Sequence, residues 1–195
     1  DGGLQVVDYL SEVLEDVHPS YFASFTCTAW SPDAKYLVAG GKDDLVTVWS
    51  SSPSSSSSDH ALIAHCMGHE SWVRTIAFDP VGQEDTYRFM SMGNDKLLVW
   101  DFPACPPPPT CPLCPIDGAC LEGAPGAGDD SPLELMHPRL PRAAVTVLQP
   151  LVAVAIHDLP IFSLQFSQDL LITACHHGMI RVQKRLTACD LSSYI

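Results

Sequence analysis

The chain has 195 residues, with 10 Lys plus Arg against 23 Asp plus Glu and a net charge of −13. That balance argues against a nucleic-acid binder, which needs clustered cations for phosphate, and against a polybasic membrane anchor. With 46% apolar and 17% charged residues the chain is too apolar to be wholly disordered. Its most apolar stretch, 143–156, is broken by Thr146, Gln149 and Pro150 and is too short to cross a bilayer.

In chain order, the opening residues 1–8, from Asp1 through Val7 to Asp8, read as a turn and one strand of a unit already under way. Residues 25–49 (FTCTAWSPDAKYLVAGGKDDLVTVW) and 73–100 (VRTIAFDPVGQEDTYRFMSMGNDKLLVW) then follow one plan. An alternating run ends in an aromatic and a proline turn, at Trp30-Ser31-Pro32 and Phe78-Asp79-Pro80. A second apolar run leads to a Gly/Asp turn, Gly41-Lys42-Asp43 or Gly93-Asn94-Asp95, and a third ends at Trp49 or Trp100. His18 to Trp49 and His69 to Trp100 are both 31 residues, and the unit recurs after 51. Runs of four to six residues between tight turns are strands rather than helices. The fourth strand of the first unit is expected at 61–66. A weaker copy follows at 161–166, 170–174 and 179–182, with His177 at the turn and Gln183 at the Trp position.

The expected organisation is blades over 1–101, a Pro/Gly/Cys-rich insertion over 102–142, a degenerate blade over 143–189 and a tail over 190–195. Residues 50–58 are a Ser-rich loop, and 11 of the 17 prolines fall in the insertion, which reads as disordered. Cys27 and Cys175 sit in apolar strand-like runs, where a free Cys acts as a small hydrophobe. The single Asn, Asn94, forms no glycosylation sequon. Together these suggest a reducing compartment, cytoplasmic and/or nuclear.

Gly68-His69 followed 31 residues later by Trp100-Asp101 resembles the WD-repeat signature. The fold class the resemblance implies is all-β, a WD-type propeller, incomplete at about three and a third four-stranded blades. In such a blade the His, a Ser or Thr, the turn Asp and the Trp form a hydrogen-bonded chain, here His69, Ser91, Asp95 and Trp100. The first unit keeps Asp43 and Trp49 but has Ala39 at the hydroxyl position; the last keeps only His157 and Thr173. Both are expected to rely on packing.

Three segments look more narrowly like the group that holds the dystrophia myotonica WD-repeat protein, its paralogue and the fungal CreC protein: SYFASFTCTAWSPDAKYLVAGGKDDLVTVWS, GHESWVRTIAFDP and TYRFMSMGNDKLLVWD. The resemblance implies a non-enzymatic scaffold that binds and activates a ubiquitin-specific protease alongside a second WD-repeat cofactor. It implies no bound cofactor and no metal. Phe22 and Trp72 follow their units' His positions, and in that group aromatics there look like protease contacts. The alternative for both is packing between blades. A generic protein-interaction adaptor is the alternative function.

Other chemistry weighs less. Cys105, Cys111, Cys114 and Cys120 supply enough zinc ligands, but their spacing is no familiar zinc module, and a low-complexity insertion explains them. His176-His177 reads as an exposed turn rather than a metal site. Asp43-Asp44 is explained by the turn role of Asp43. His69, Ser91 and Asp95 mimic a hydrolase triad, yet their order and the Trp partner fit the blade chain.

Overall fold

The structure, a computed structural model, describes residues 2–20, 23–51, 62–81, 86–94, 96–103, 145–167 and 169–185. Among these the regular elements are all strands: β1 (Leu4–Asp8), β2 (Val13–His18), β3 (Phe25–Trp30), β4 (Tyr36–Gly41), β5 (Leu45–Ser50), β6 (Leu62–Met67) and β7 (Thr75–Phe78). They continue with β8 (Thr86–Met92), β9 (Leu97–Pro103), β10 (Thr146–Leu148), β11 (Val152–Val154), β12 (Ile161–Ser167), β13 (Leu170–Cys175) and β14 (Ile180–Lys184).

The strands group into blades. β3 to β6 form the first complete antiparallel blade. The second has the order β7-β8-β9-β11, and the third has β12-β13-β14. β1 and β2 make half of a blade that precedes them. The fourth strand of the first blade runs Leu62–Met67, one residue on from its expected place. Within the stretch 143–189, β10 and β11 serve the two preceding blades. β10 adds to the outer edge of the first, parallel to β6, and β11 completes the second. The third blade begins at Ile161.

Burial explains the strand sequences. β4 (YLVAGG) is buried along its whole length, and β5 (LVTVWS) everywhere but its last residue, because each blade is covered on both faces by its neighbours. Three apolar layers result. Leu37, Trp49, Leu62 and Val145 lie between half-blade and first blade, with Leu4 and Val6 packed on them. Val38, Val48, Val73, Phe89 and Trp100 fill the next layer, and Met90, Val99, Ile161 and Leu171 the one after. The outer faces of the two end blades are less covered: Val7 is 52% exposed and Ile180 68%. The inner strands β3, β7 and β12 lie side by side. In each antiparallel blade the loop entering the first strand and the turn between the second and third strands therefore emerge at one end, called here the upper rim.

Candidate functional site

The upper rim between the first and second blades is built by two segments. The turn after β4 carries Lys42, Asp43 and Asp44, the last at φ 62°. The loop from β6 to β7 carries Glu70, Ser71, Trp72 and Val73. Val73 is fully buried in the layer between the blades, and its N–H donates to the Gly41 carbonyl at 3.1 Å. The Thr26 hydroxyl donates to the Val73 carbonyl and, at 3.0 Å, to that of Gly40. With Val73 so anchored, the adjacent Trp72 projects outward and is 49% exposed. The Lys42 ammonium sits over its ring, 5.0 Å from the centroid. A cation in that position is worth about 0.5–1 kcal/mol at an exposed site and fixes one face of the indole.

Around Trp72 opens a depression of about 330 Å³ lined by Asp44, Glu70, Ser71, Arg74 and Asn94. Arg74 Nε donates to Asn94 Oδ1 at 2.7 Å, and the Asn94 N–H donates to Ser71 Oγ at 2.9 Å. Lys96 Nζ lies 3.2 Å from Glu70 Oε1. These bonds tie the β8–β9 turn to the Trp72 loop. The result is an exposed aromatic on a braced frame, ringed by both signs of charge. It suits recognition of a protein surface, where aromatic anchors carry much of the binding energy.

Beneath the rim lies the polar interior of the second blade. Ser91 Oγ accepts the Trp100 indole N–H at 2.7 Å and is hydrogen-bonded to His69 Nε2 at 2.6 Å, with Ser91 and Trp100 fully buried and His69 8% exposed. Asp101, next in sequence, takes a bidentate pair from Arg88 on the facing strand, both contacts 2.7 Å. In the third blade His157 Nε2 bonds Thr173 Oγ1 at 2.9 Å. The WD domain, G-beta repeat family matches residues 16–50.

The chain has the fold of an incomplete WD-type propeller. Among curated proteins it is 34% identical over 205 residues to the UBP9-binding protein bun62 of Schizosaccharomyces pombe (strain 972 / ATCC 24843). The match takes in 94% of this chain and 37% of that protein, so the chain spans little more than a third of the relative's length.

The WD repeat in the first blade departs from the sequence expectation. Packing is not its sole support, because Thr47, directly across from Ala39, supplies the missing hydroxyl. Its Oγ1 accepts the Trp49 indole N–H at 2.9 Å and donates to the Ala39 carbonyl at 3.2 Å. His18 lies over Trp49 at 4.5 Å between centroids and contacts Asp16 at 3.4 Å. Thr47 and His18 thus complete this blade's interior. The signal for Thr47 was a β-branched hydroxyl residue two before the Trp. The third blade matches its expected His157–Thr173 remnant and adds a tie to the second, Arg185 Nη1 to the buried Asp79 Oδ1 at 2.7 Å.

Of the other residues singled out, Asp43 is half-buried in its turn, and His176 and His177 lie exposed at theirs. Phe22, Asp95 and Cys105, Cys111, Cys114 and Cys120 lie outside the described residues. Among the described residues no group of His, Cys, Asp and Glu is arranged to hold a metal ion. Burial pushes the thiols up, that of Cys27 to about 11 and that of Cys66 beyond the ordinary range, so neither is a ready nucleophile.

Proposed function

We propose that this chain is part of a non-catalytic WD-repeat scaffold whose upper rim binds, and thereby activates, a ubiquitin-specific protease. The observation that carries the reading is Trp72: a large aromatic half exposed on a rim held by cross-blade hydrogen bonds. The name of the relative, a protein that binds UBP9, supports the partner class. Placement in the group of the dystrophia myotonica WD-repeat protein and CreC, a second WD-repeat cofactor, and a cytoplasmic or nuclear site of action belong to the same proposal. Phe22, the equivalent aromatic 50 residues earlier in the sequence, is assigned the matching contact.

The account predicts that Trp72→Ala with Phe22→Ala abolishes capture of a co-expressed ubiquitin-specific protease and leaves the thermal melt within about 2 °C, as a contact role for both implies; the half-exposed Trp72 contributes little to stability. A melt that collapses with capture would assign both aromatics to packing. Unimpaired capture would remove them from the interface.

A further inference from the structure

The second blade is completed by an unusual path. The chain leaves it at Pro103, the end of β9, and rejoins the described fold at Val145 on the first blade, before β11 returns to the second. On the way it lays Thr146, Val147 and Leu148 parallel to Ala64, His65 and Cys66 of β6. The flanking side chains reach in opposite directions. Val145 is buried with Leu37, Trp49 and Leu62 between half-blade and first blade. Leu148 packs on the layer between first and second blades. Two residues on, Pro150 closes over Gly68: a Cβ there would meet the proline Cγ at 3.1 Å and Leu98 Cδ1 at 3.2 Å. Leu151 N–H then donates to the Val99 carbonyl at 2.8 Å.

β6 runs directly into the Trp72 loop. Residues 145–150 therefore grip the outer edge of β6 just where that loop begins and cover its first residue, Gly68. His69 is fixed from the other side by Ser91. We propose that residues 145–150 are a positioning strap for the docking rim: by holding the end of β6 and seating Pro150 on Gly68, they set the loop that presents Trp72. This rests on Trp72 being the docking residue. The strap touches no partner; it acts through the loop. A three-residue parallel pairing with Val147 44% exposed is short enough to be weakened without unfolding the blades.

The test uses the native protein with Val145→Ala plus Leu148→Ala, and Val145→Asp as the stronger variant, both read below the melting temperature. Amide hydrogen exchange is expected to quicken about tenfold across 64–73, including the loop 68–73, while 161–184 is unchanged. Affinity for the ubiquitin-specific protease is expected to fall about tenfold. Exchange that quickens equally everywhere, or only at 62–67 and 145–148 with loop and affinity unchanged, would reduce the strap to structural edge cover and overturn the proposal. Trp72→Ala runs beside these variants. If it leaves capture intact, the docking reading fails, and exchange in the loop alone then decides whether the strap positions it.

Discussion

Ser91 serves two buried rings at once, and its single oxygen is the junction of the second blade. Ser91→Ala leaves the Trp100 indole N–H and the His69 ring nitrogen without that partner inside a buried layer. Each such loss costs about 1–3 kcal/mol. The expected outcome is a loss of about 2 kcal/mol or more in urea unfolding, and a change under about 0.5 kcal/mol would remove Ser91 from any supporting role. Thr47 plays the corresponding part in the first blade. The His–Trp spacing and the Ser made the second blade's chain legible from sequence. Thr47 was not, because its role depends on standing across from Ala39, and register is a property of paired strands.

His157 gives the residue scale its pH dependence. Burial, followed by the positive charge of Arg181, lowers the imidazole pKa, while Asp158 raises it. The folded state thus binds a proton less readily than the unfolded chain. Above the unfolded value, about 6.5, both states are neutral and this group contributes no pH dependence. As pH falls below it the unfolded state gains the proton first, so stability drops. His157→Gln is expected to lessen the loss of stability between about pH 7 and 5. Identical pH profiles for the variant and the parent would contradict the assignment.

At the scale of elements, the seam between the first and second blades depends on close backbone approach. A Cβ at Gly40 would meet Val73 Cγ1 at 2.6 Å and Cβ at 2.9 Å, with Cys27 Sγ at 3.0 Å. Val73 cannot retreat, because it is fully buried and hydrogen-bonded at both its N–H and its carbonyl. Gly40→Ala should therefore cost about 1–3 kcal/mol by overpacking. A melt unchanged from the parent would show that the seam can yield. The alternation of apolar runs and turns made most strands legible, though not β2, β10 or β11. Nor were the partners of β10 and β11, since a Pro-rich stretch separates them from their sheets. A three-residue run carries no signal of which edge it joins.

At the scale of the molecule, each layer of the core is shared between successive blades, so no blade is stable by its own faces alone. Polar ties bind the lower ends of neighbouring blades. Tyr87 of the second donates to Asp33 of the first at 2.6 Å, and Arg185 of the third meets Asp79 of the second. Burial favours the neutral Asp33 carboxyl, but the bonds from Tyr87, Ser31 and Lys35 outweigh it and hold the group well below the usual carboxylate range. Tyr87 is pushed up to about 12, chiefly by its bond to Asp33. The outer faces of the two end blades keep apolar side chains uncovered, Val7 at 52% and Ile180 at 68% exposed. The propeller class was legible because the repeat imposes it. The proposed docking residue was legible only as an aromatic after a His, since the cation over its ring comes from another blade.

The central claim is that a protease docks on the upper rim at Trp72. Its most direct test is the amide-exchange footprint of the native protein with and without a bound ubiquitin-specific protease. The account predicts new protection at 41–44 and 69–74, with the lower turns at 31–35 and 79–81 unchanged. Protection confined to the lower turns or to β14, with 69–74 unaffected, would contradict it.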